Sequence, residues 1–503
     1  MSRFPVAELI DADARRGDTA LQADVCVIGA GPAGRAICER LAISDIRVVL
    51  VDAGAVDDGD ADGLDAESVG LRYAASEVSA HGWGGTARAW DDHGADGPGA
   101  LMRAFEPTDL VPRPWIPQSG WPIGFDELAP YYDATDRFLG LEPVDDPWSE
   151  SICQHLLPLP EDRIESVFYR YESARRYVEP PKGDGSGGMT VLHHAEVVDI
   201  EPRRPGGRAS VRGRSAAHRA DFNIDAKTVV LAGGTLQNTR LLLTLRAAGH
   251  VRASGDHIGR YFMEHPKGET GIFVPVSDEV VNVLTGYDEH QEGDVYCRRH
   301  LTLTPALRAD EQLSGYYAAL WPVEPDWLHD DLMYLAERVR RRHRGAPLFA
   351  VSFQVEQVPN HESRIFLSRS SSHRGPGVAV DWRLSEQDFR TLIRSQQIVQ
   401  EELQLAGLGT VYTRAHRDRS GGLDVAMWRG DPSHLKTSHH PTGTTRMADD
   451  PRDGVVDRDC RVFDLSSLYV AGSSVFPTGS HINPTYTIVA LAQRLADHLL
   501  ERH

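Results

Sequence analysis

The sequence predicts an α/β fold: a Rossmann-like dinucleotide-binding domain interleaved with a second, α+β domain of antiparallel sheet and helices. Three observations carry this. An apolar strand runs into GAGPAG at 29–34, and a helix pattern and a second strand ending in Asp52 follow. Strand-like MTVLHHAEVVDI (189–200) and KTVVLAGG (227–234) return to the same β-branched pattern after a long excursion. The apolar helix Ile488–Leu500 then closes the chain, directly after Asn483-Pro-Thr485.

The first strand, Asp24-Val-Cys-Val-Ile28, is short, apolar and β-branched, as a buried parallel strand is. Gly29 lets the chain turn sharply, Gly31 lets a pyrophosphate approach the backbone, and Gly34 lets the helix Arg35–Ala42 pack closely on the sheet. The amides and dipole at that helix start favour a phosphate. A second strand, Arg47–Val51, ends in Asp52, where the ribose of an adenosine needs an acceptor. A lone GxGxxG is weak evidence, but strand, glycines, helix, strand and acid in one unit are much stronger. The acid suits FAD or NAD better than NADP.

DDGDADGLDAESV (57–69) and PPKGDGSGGM (180–189) read as loops, and residues 90–190 as an excursion rich in proline and tryptophan. Residues 267–430 carry alternating strand patterns and one long helix, which starts at Ser385 with Asp388 as its capping partner and ends near Gly407. The cluster Arg338–Arg344 suits a helix C-terminus. The expected division is 1–265 plus 430–503 for the dinucleotide domain and 266–429 for the second domain.

Bulk properties exclude more than they select. The chain has 503 residues, 41% hydrophobic, enough for two or three domains with large cores. No apolar run approaches the ~18–20 residues of a membrane span. MSRFPVAELIDADARRGD has no apolar core segment, so no secretory signal is read there. Five cysteines (26, 38, 153, 297 and 460) show no metal-like spacing. Reduced thiols, a cytoplasmic location and no catalytic metal are therefore expected. The formal charge of −20 argues against nucleic acid as a partner. Solubility accounts for that charge most simply, and attraction of a cationic substrate such as an amino sugar is the sharper alternative.

Further motifs select the class. HGWGGTARAW (81–90) is a second glycine-rich loop. SGWPIGFDELAPYYDATDRFLGL (119–141), VVLAGGTLQNTRLLL (229–243), GRYFMEHP (259–266), VPNHESRIFL (358–367), HHPTGTTRM (439–447) and LYVAGSSVFPTGSHINPTYTIVALAQRLADHLL (468–500) follow in order. Together these resemble the glucose–methanol–choline (GMC) oxidoreductases, in particular the sugar- and glycoside-oxidising branch that includes pyranose oxidases. The resemblance implies FAD. It places Gly84, Gly85, Thr86 and Trp90 of the second loop against the isoalloxazine, and adds Val197, Gly472, Pro484 and Thr485 to the cofactor contacts. In pyranose oxidases a histidine just before the corresponding tryptophan attaches the flavin covalently. Here that position is Ala89, so non-covalent FAD is expected. Asp91 replaces a small hydroxyl residue that influences oxygen chemistry in that group, which leaves dioxygen or another electron acceptor open.

Alcohol oxidation needs a base on the hydroxyl oxygen while hydride leaves carbon. The resemblance puts His440 in the first catalytic position and Asn483 in the second. Asparagine cannot titrate, so His440 is the base of the pair, with the adjacent His439 as the alternative and His481 as a further pocket residue. The free amides at the start of the last helix would face the flavin pyrimidine, although a plain capped helix also satisfies that pattern. In the strand Ala350–Gln357 a period of two puts Ser352, Gln354 and Glu356 on one face. By resemblance to the sugar oxidases, Gln354 and Glu356 are expected to read sugar hydroxyls, against the alternative of a solvated face. The implied activity is oxidation of a secondary hydroxyl of a sugar, glycoside or cyclitol. The alternatives are primary-alcohol oxidation of an aminoglycoside or a non-oxidative flavin-binding lyase on the same fold.

Overall fold

The computed structural model describes residues 6, 8–15, 17–55, 66–80, 82–91, 99–141, 156–172, 188–202, 207–217, 220–252, 256–292, 295–323, 330–372, 375–413 and 435–503. Most of the predicted loops at 180–189 and 57–69 lies outside these residues, as do Cys153 and His81.

Three sheets organise the described residues. The first is mainly parallel, in the spatial order Glu8–Asp11, Met189–His193, Val48–Val51, Thr19–Ile28, Asp221–Leu231. On its outer side Asp221–Leu231 carries two neighbours. Ala209–Ser215 pairs antiparallel with its first half and Leu468–Val470 parallel with its last three residues. The last six residues of Thr19–Ile28 are all buried, as in a parallel strand covered on both faces.

The second sheet is antiparallel, in the order Gly409–Thr413, Pro266–Pro275, Phe349–Val355, Tyr316–Pro322, Val295–Leu303, Ile164–Glu172, Ala100–Met102. The 90–190 excursion thus contributes two of its strands. The third sheet joins Arg364–Ser372, Gly375–Asp381 and Ala66–Ser68. The helix Glu386–Leu405 backs the second sheet and buries Leu392, Ile398, Val399 and Leu403 against Phe273 and Phe353. It starts in the capping box read from the sequence: Ser385 accepts from the Asp388 amide and Asp388 from the Ser385 amide. Gly407, at φ +69°, follows its end.

The helices Pro32–Leu41 and Thr485–Arg502 pack on each other beside the first sheet and are pinned by Arg40 on the Asp497 carboxylate. Phe125–Leu139 packs on the other side of Thr485–Arg502, with the Tyr132 and Tyr486 rings stacked 5.3 Å apart. The start of the last helix is therefore held by Tyr132 on Tyr486 and its later turns by Arg40 on Asp497.

Gly34 and Gly31 do different work. A Cβ at Gly34 would lie 1.9 Å from the Gly29 carbonyl oxygen, a backbone atom that cannot swing away. At Gly31 a Cβ meets only the Gly84 carbonyl at 3.9 Å, and its backbone is extended. Gly34→Ala should therefore lower stability by about 1–3 kcal/mol, the scale of overpacking, although alanine in a helix interior ordinarily gains up to ~1 kcal/mol over glycine. Gly31→Ala should leave the thermal midpoint of the cofactor-free protein nearly unchanged. Equal midpoints for wild type and Gly34→Ala would refute this packing account.

Candidate active site

One cavity of about 330 Å³ gathers residues from both ends of the chain. Gly29, Gly31, Asp52, Gly85, Thr86, Trp90, Val197, Gly472, Pro484 and Thr485 line it, together with His440 and Asn483. Gly34 lies behind it in the strand–helix packing. Gly84 is at φ +89° in the turn before the Gly85–Asp91 3₁₀ segment, and its carbonyl is the Gly31 neighbour noted above. Neither Gln354 nor Glu356 lines the cavity.

The cradle suits a dinucleotide. Asp52 is buried and accepts from the amides of Ala30 (2.7 Å) and Gly54 (2.9 Å), one on each oxygen. Burial raises its pKa to about 6, so it is still mainly ionised at neutral pH, and each oxygen keeps a lone pair for a ribose hydroxyl. Pro32 sits at the first turn of the Pro32–Leu41 helix, whose start lines the cavity with no acidic side chain in that turn. These donors, the glycine floor and Asp52 fit FAD.

His440 is positioned by an unequal pairing of two strands. Pro266 pairs with Thr437 and Met263 with Thr442, so one strand advances three residues while the other advances five. The excess is taken up as a bulge in which His439 adopts φ +63°. The bulged backbone needs an acceptor, and the buried Glu264 carboxylate supplies it: one oxygen accepts the amides of both His440 and His265 at 2.8 Å. Burial pushes the Glu264 carboxyl up to about 7. The His440 ring meets His265 edge-on, with 3.0 Å between the two Nδ1 atoms. Burial, with His265, Lys267 and His439 nearby, holds the His440 pKa well below the usual histidine range.

Asn483 is oriented from behind. Gln354 donates from Nε2 to the His481 carbonyl (2.9 Å) and to Asn483 Oδ1 (3.2 Å). A carbonyl only accepts, so it fixes which end of the Gln354 amide faces it, and that in turn fixes the Asn483 amide with Nδ2 as its remaining donor. Glu356 is fully buried, accepts from both terminal guanidinium nitrogens of Arg113 (2.7 and 2.5 Å) and accepts the Gly315 amide at 2.8 Å. The alternation along this strand does not mark a solvent or cavity face, because Phe349–Val355 is buried on both sides. His481 is also fully buried, and burial lowers its pKa to about 3. Glu264, His265 and the bracing role of Gln354 escaped the sequence reading. The adjacent acid and histidine in FMEHP were the available signal.

Away from this cavity, Asp11, His193 and His194 bring ligand atoms within 4.8 Å of one another at the edge of the first sheet. No helix of the described residues is long and apolar enough to cross a membrane.

Glu356→Ala should strip Arg113 of its buried partner and destabilise the protein by about 3–5 kcal/mol, the usual penalty for half a buried ion pair. Thermal or urea unfolding measures it, and a fully stable variant would overturn the structural role.

Residues 359–492 match the GMC oxidoreductase family. The chain is 23% identical to paromamine 6'-oxidase of Streptomyces fradiae and 25% identical to 6'''-hydroxyparomomycin C oxidase of Streptomyces lividus, each over 95% of this chain and 92% of the relative. It is 23% identical to 2-methyl-1,2-propanediol dehydrogenase of Mycolicibacterium austroafricanum over 76% of this chain and 75% of that one. Among solved structures, a fungal aryl-alcohol oxidase aligns with a TM-score of 0.58 at 15% identity, covering 95% of this chain and 99% of that one. Pyridoxine 4-oxidase from Mesorbium loti aligns at 0.53 and 17%, covering 96% and 100%. The fold, the cradle and these relatives agree with that match: the chain is similar to the GMC oxidoreductases, enzymes acting on CH–OH groups.

Proposed function

We propose that the protein oxidises a hydroxyl group of a sugar or glycoside, with His440 as general base and Asn483 orienting the alcohol. The observation that carries this is the meeting of His440 and Asn483 in the same cavity as the dinucleotide cradle. When bound, FAD supplies the acceptor for the hydride that leaves the alcohol carbon. His440, kept neutral by its surroundings, accepts the hydroxyl proton. Asn483, its carbonyl turned to Gln354, offers an N–H to the same oxygen as negative charge develops there.

Two finer readings of the substrate divide on the carbon attacked. A secondary ring hydroxyl of a sugar, glycoside or cyclitol follows from the likeness to pyranose oxidases. A primary hydroxyl of an aminoglycoside is favoured by the two relatives that span nearly the whole chain, and the formal charge of −20 suits a cationic substrate. The electron acceptor is dioxygen or another oxidant. Anaerobic addition of paromamine, D-glucose, a methyl glucoside and myo-inositol separates the readings by which of them bleaches the flavin. Bleaching by none of them would count against the sugar reading.

His440→Ala should keep FAD and lose flavin reduction by roughly 10²–10⁴-fold, the usual worth of a positioned base. Asn483→Ala should lose less. Reduction at the wild-type rate in His440→Ala would remove the base assignment and direct attention to His439.

Acid precipitation should release all of the flavin into the supernatant, because residue 89 is alanine and offers no attachment atom. Yellow colour retained on the washed, denatured chain would show a covalent link elsewhere.

A further inference from the structure

We infer that His265 is a positioning residue that sets the tautomer of His440, so that the proton sits on Nδ1 and the lone pair on Nε2. The inference rests on the reading of His440 as base and follows from a chain of two hydrogen bonds. His265 Nε2 lies 3.3 Å from the Gly479 carbonyl oxygen. A carbonyl cannot donate, so Nε2 of His265 carries the hydrogen. His265 is 2% exposed, and burial lowers its pKa to about 4, so its ring is neutral and its Nδ1 bare. That bare nitrogen faces His440 Nδ1 at 3.0 Å. Two lone pairs at this distance would repel, so His440 Nδ1 carries a hydrogen and donates it.

The neutral His440 ring then has its lone pair on Nε2, while the ring lines the cavity. Without His265 the two tautomers of an imidazole are close in energy, and a large part of the population would carry hydrogen on the nitrogen that must accept the substrate proton. After proton transfer His440 is an imidazolium, a donor at both nitrogens, and His265 Nδ1 still accepts from it. The bond therefore persists through the step and strengthens when the ring is charged.

Geometry makes the relay rigid. The Met263–Thr442 pairing holds the two strands together at 3.1 and 2.9 Å, and Glu264 binds the amides of both histidines. A Cβ at Gly479 would come within 3.4 Å of His265 Nε2, so the backbone approaches the ring closely there.

Nitrogen-15 NMR of the histidine-labelled holoenzyme tests this without substrate, with the His440 resonances assigned by loss in His440→Ala. Wild type should show His440 protonated at Nδ1 and His265 at Nε2. His265→Asn places an amide oxygen near the old Nδ1 position and should keep the His440 tautomer. His265→Leu has no acceptor and should give mixed tautomers. Stopped-flow flavin reduction, with whichever panel alcohol reduces wild type fastest, should fall about 10–10³-fold in His265→Leu, below the ~10⁴ of a fully wrong tautomer in a known catalytic triad. It should fall less than about 5-fold in His265→Asn, with the substrate dissociation constant unchanged in both. His440 protonated at Nε2 in wild type, or leucine equal to wild type in both readouts, would overturn the inference. Should His265→Leu fail to fold, the wild-type spectrum still decides. Wild-type reduction by His440→Ala would instead sink the base assignment and leave the tautomer result standing.

Discussion

The site depends on a mismatch of two residues between paired strands. Three residues of the 263–266 segment face five of the 437–442 segment, and the surplus cannot lie flat in a ladder. It bulges, with His439 in the left-handed region, and lifts His440 into the cavity. A bulge leaves backbone amides without ladder partners, and burying one unpaired costs about 1–3 kcal/mol. Glu264 removes that cost, and it does so from a fully buried position that would be unfavourable without those amides. Carboxylate, bulge and His440 therefore form one unit.

A second constraint comes from the turn at 472–484. Its carbonyls at Gly479 and His481 each begin a chain of fixed hydrogen bonds: one passes through His265 to His440, the other through Gln354 to Asn483. In the function proposed above, the first chain delivers an acceptor and the second a donor, the pair an alcohol oxygen needs as it loses its proton. The turn itself is anchored by the excursion. Asp109 accepts from Ser480 Oγ (2.8 Å) and, through its backbone carbonyl, from Thr478 Oγ1 (3.0 Å), while Trp121 donates to Thr478 Oγ1 (2.9 Å). Burial, with Glu106 and Glu356 nearby, raises the Asp109 pKa to about 7, and Arg308 and Arg113 oppose that shift. The pairs Arg113–Glu356 and Arg308–Glu106 let this many charges share a dry space.

What was legible in the sequence was local. Strand, GAGPAG, helix, strand and Asp52 are contiguous, each residue's role follows from backbone chemistry, and the capping box at Ser385 and Asp388 is likewise written within four residues. His440 and Asn483 were found through motif likeness, and the structure brings them into one cavity. The strand around Gln354 and Glu356 was harder. Period-two alternation distinguishes faces only when one is dry and the other wet, and here both are dry. Its polar residues are there because buried partners from distant segments require them: Arg113 for Glu356, and the His481 carbonyl and Asn483 for Gln354. Pairings across 243 and 129 residues leave no mark in a local pattern. His265 was hidden for the same reason, since its meaning depends on a bulge that only the register of two strands reveals.

The low basicity of His440 in the structure bears on how such a base works. A histidine held well below its ordinary pKa is a weak proton acceptor in isolation, which opposes its proposed role. The shift, however, is dominated by burial, which penalises the charged ring and so keeps it unprotonated and ready before an alcohol arrives. Once the proton moves, the charged ring is no longer alone, because His265 accepts its Nδ1–H. Hydrogen bonds to a charged group are roughly twice as strong as neutral ones. The surroundings thus favour the neutral ring at rest and recover part of the burial penalty only after transfer. That difference between ground state and charged product is what lowers a barrier, because interactions equal in both would not.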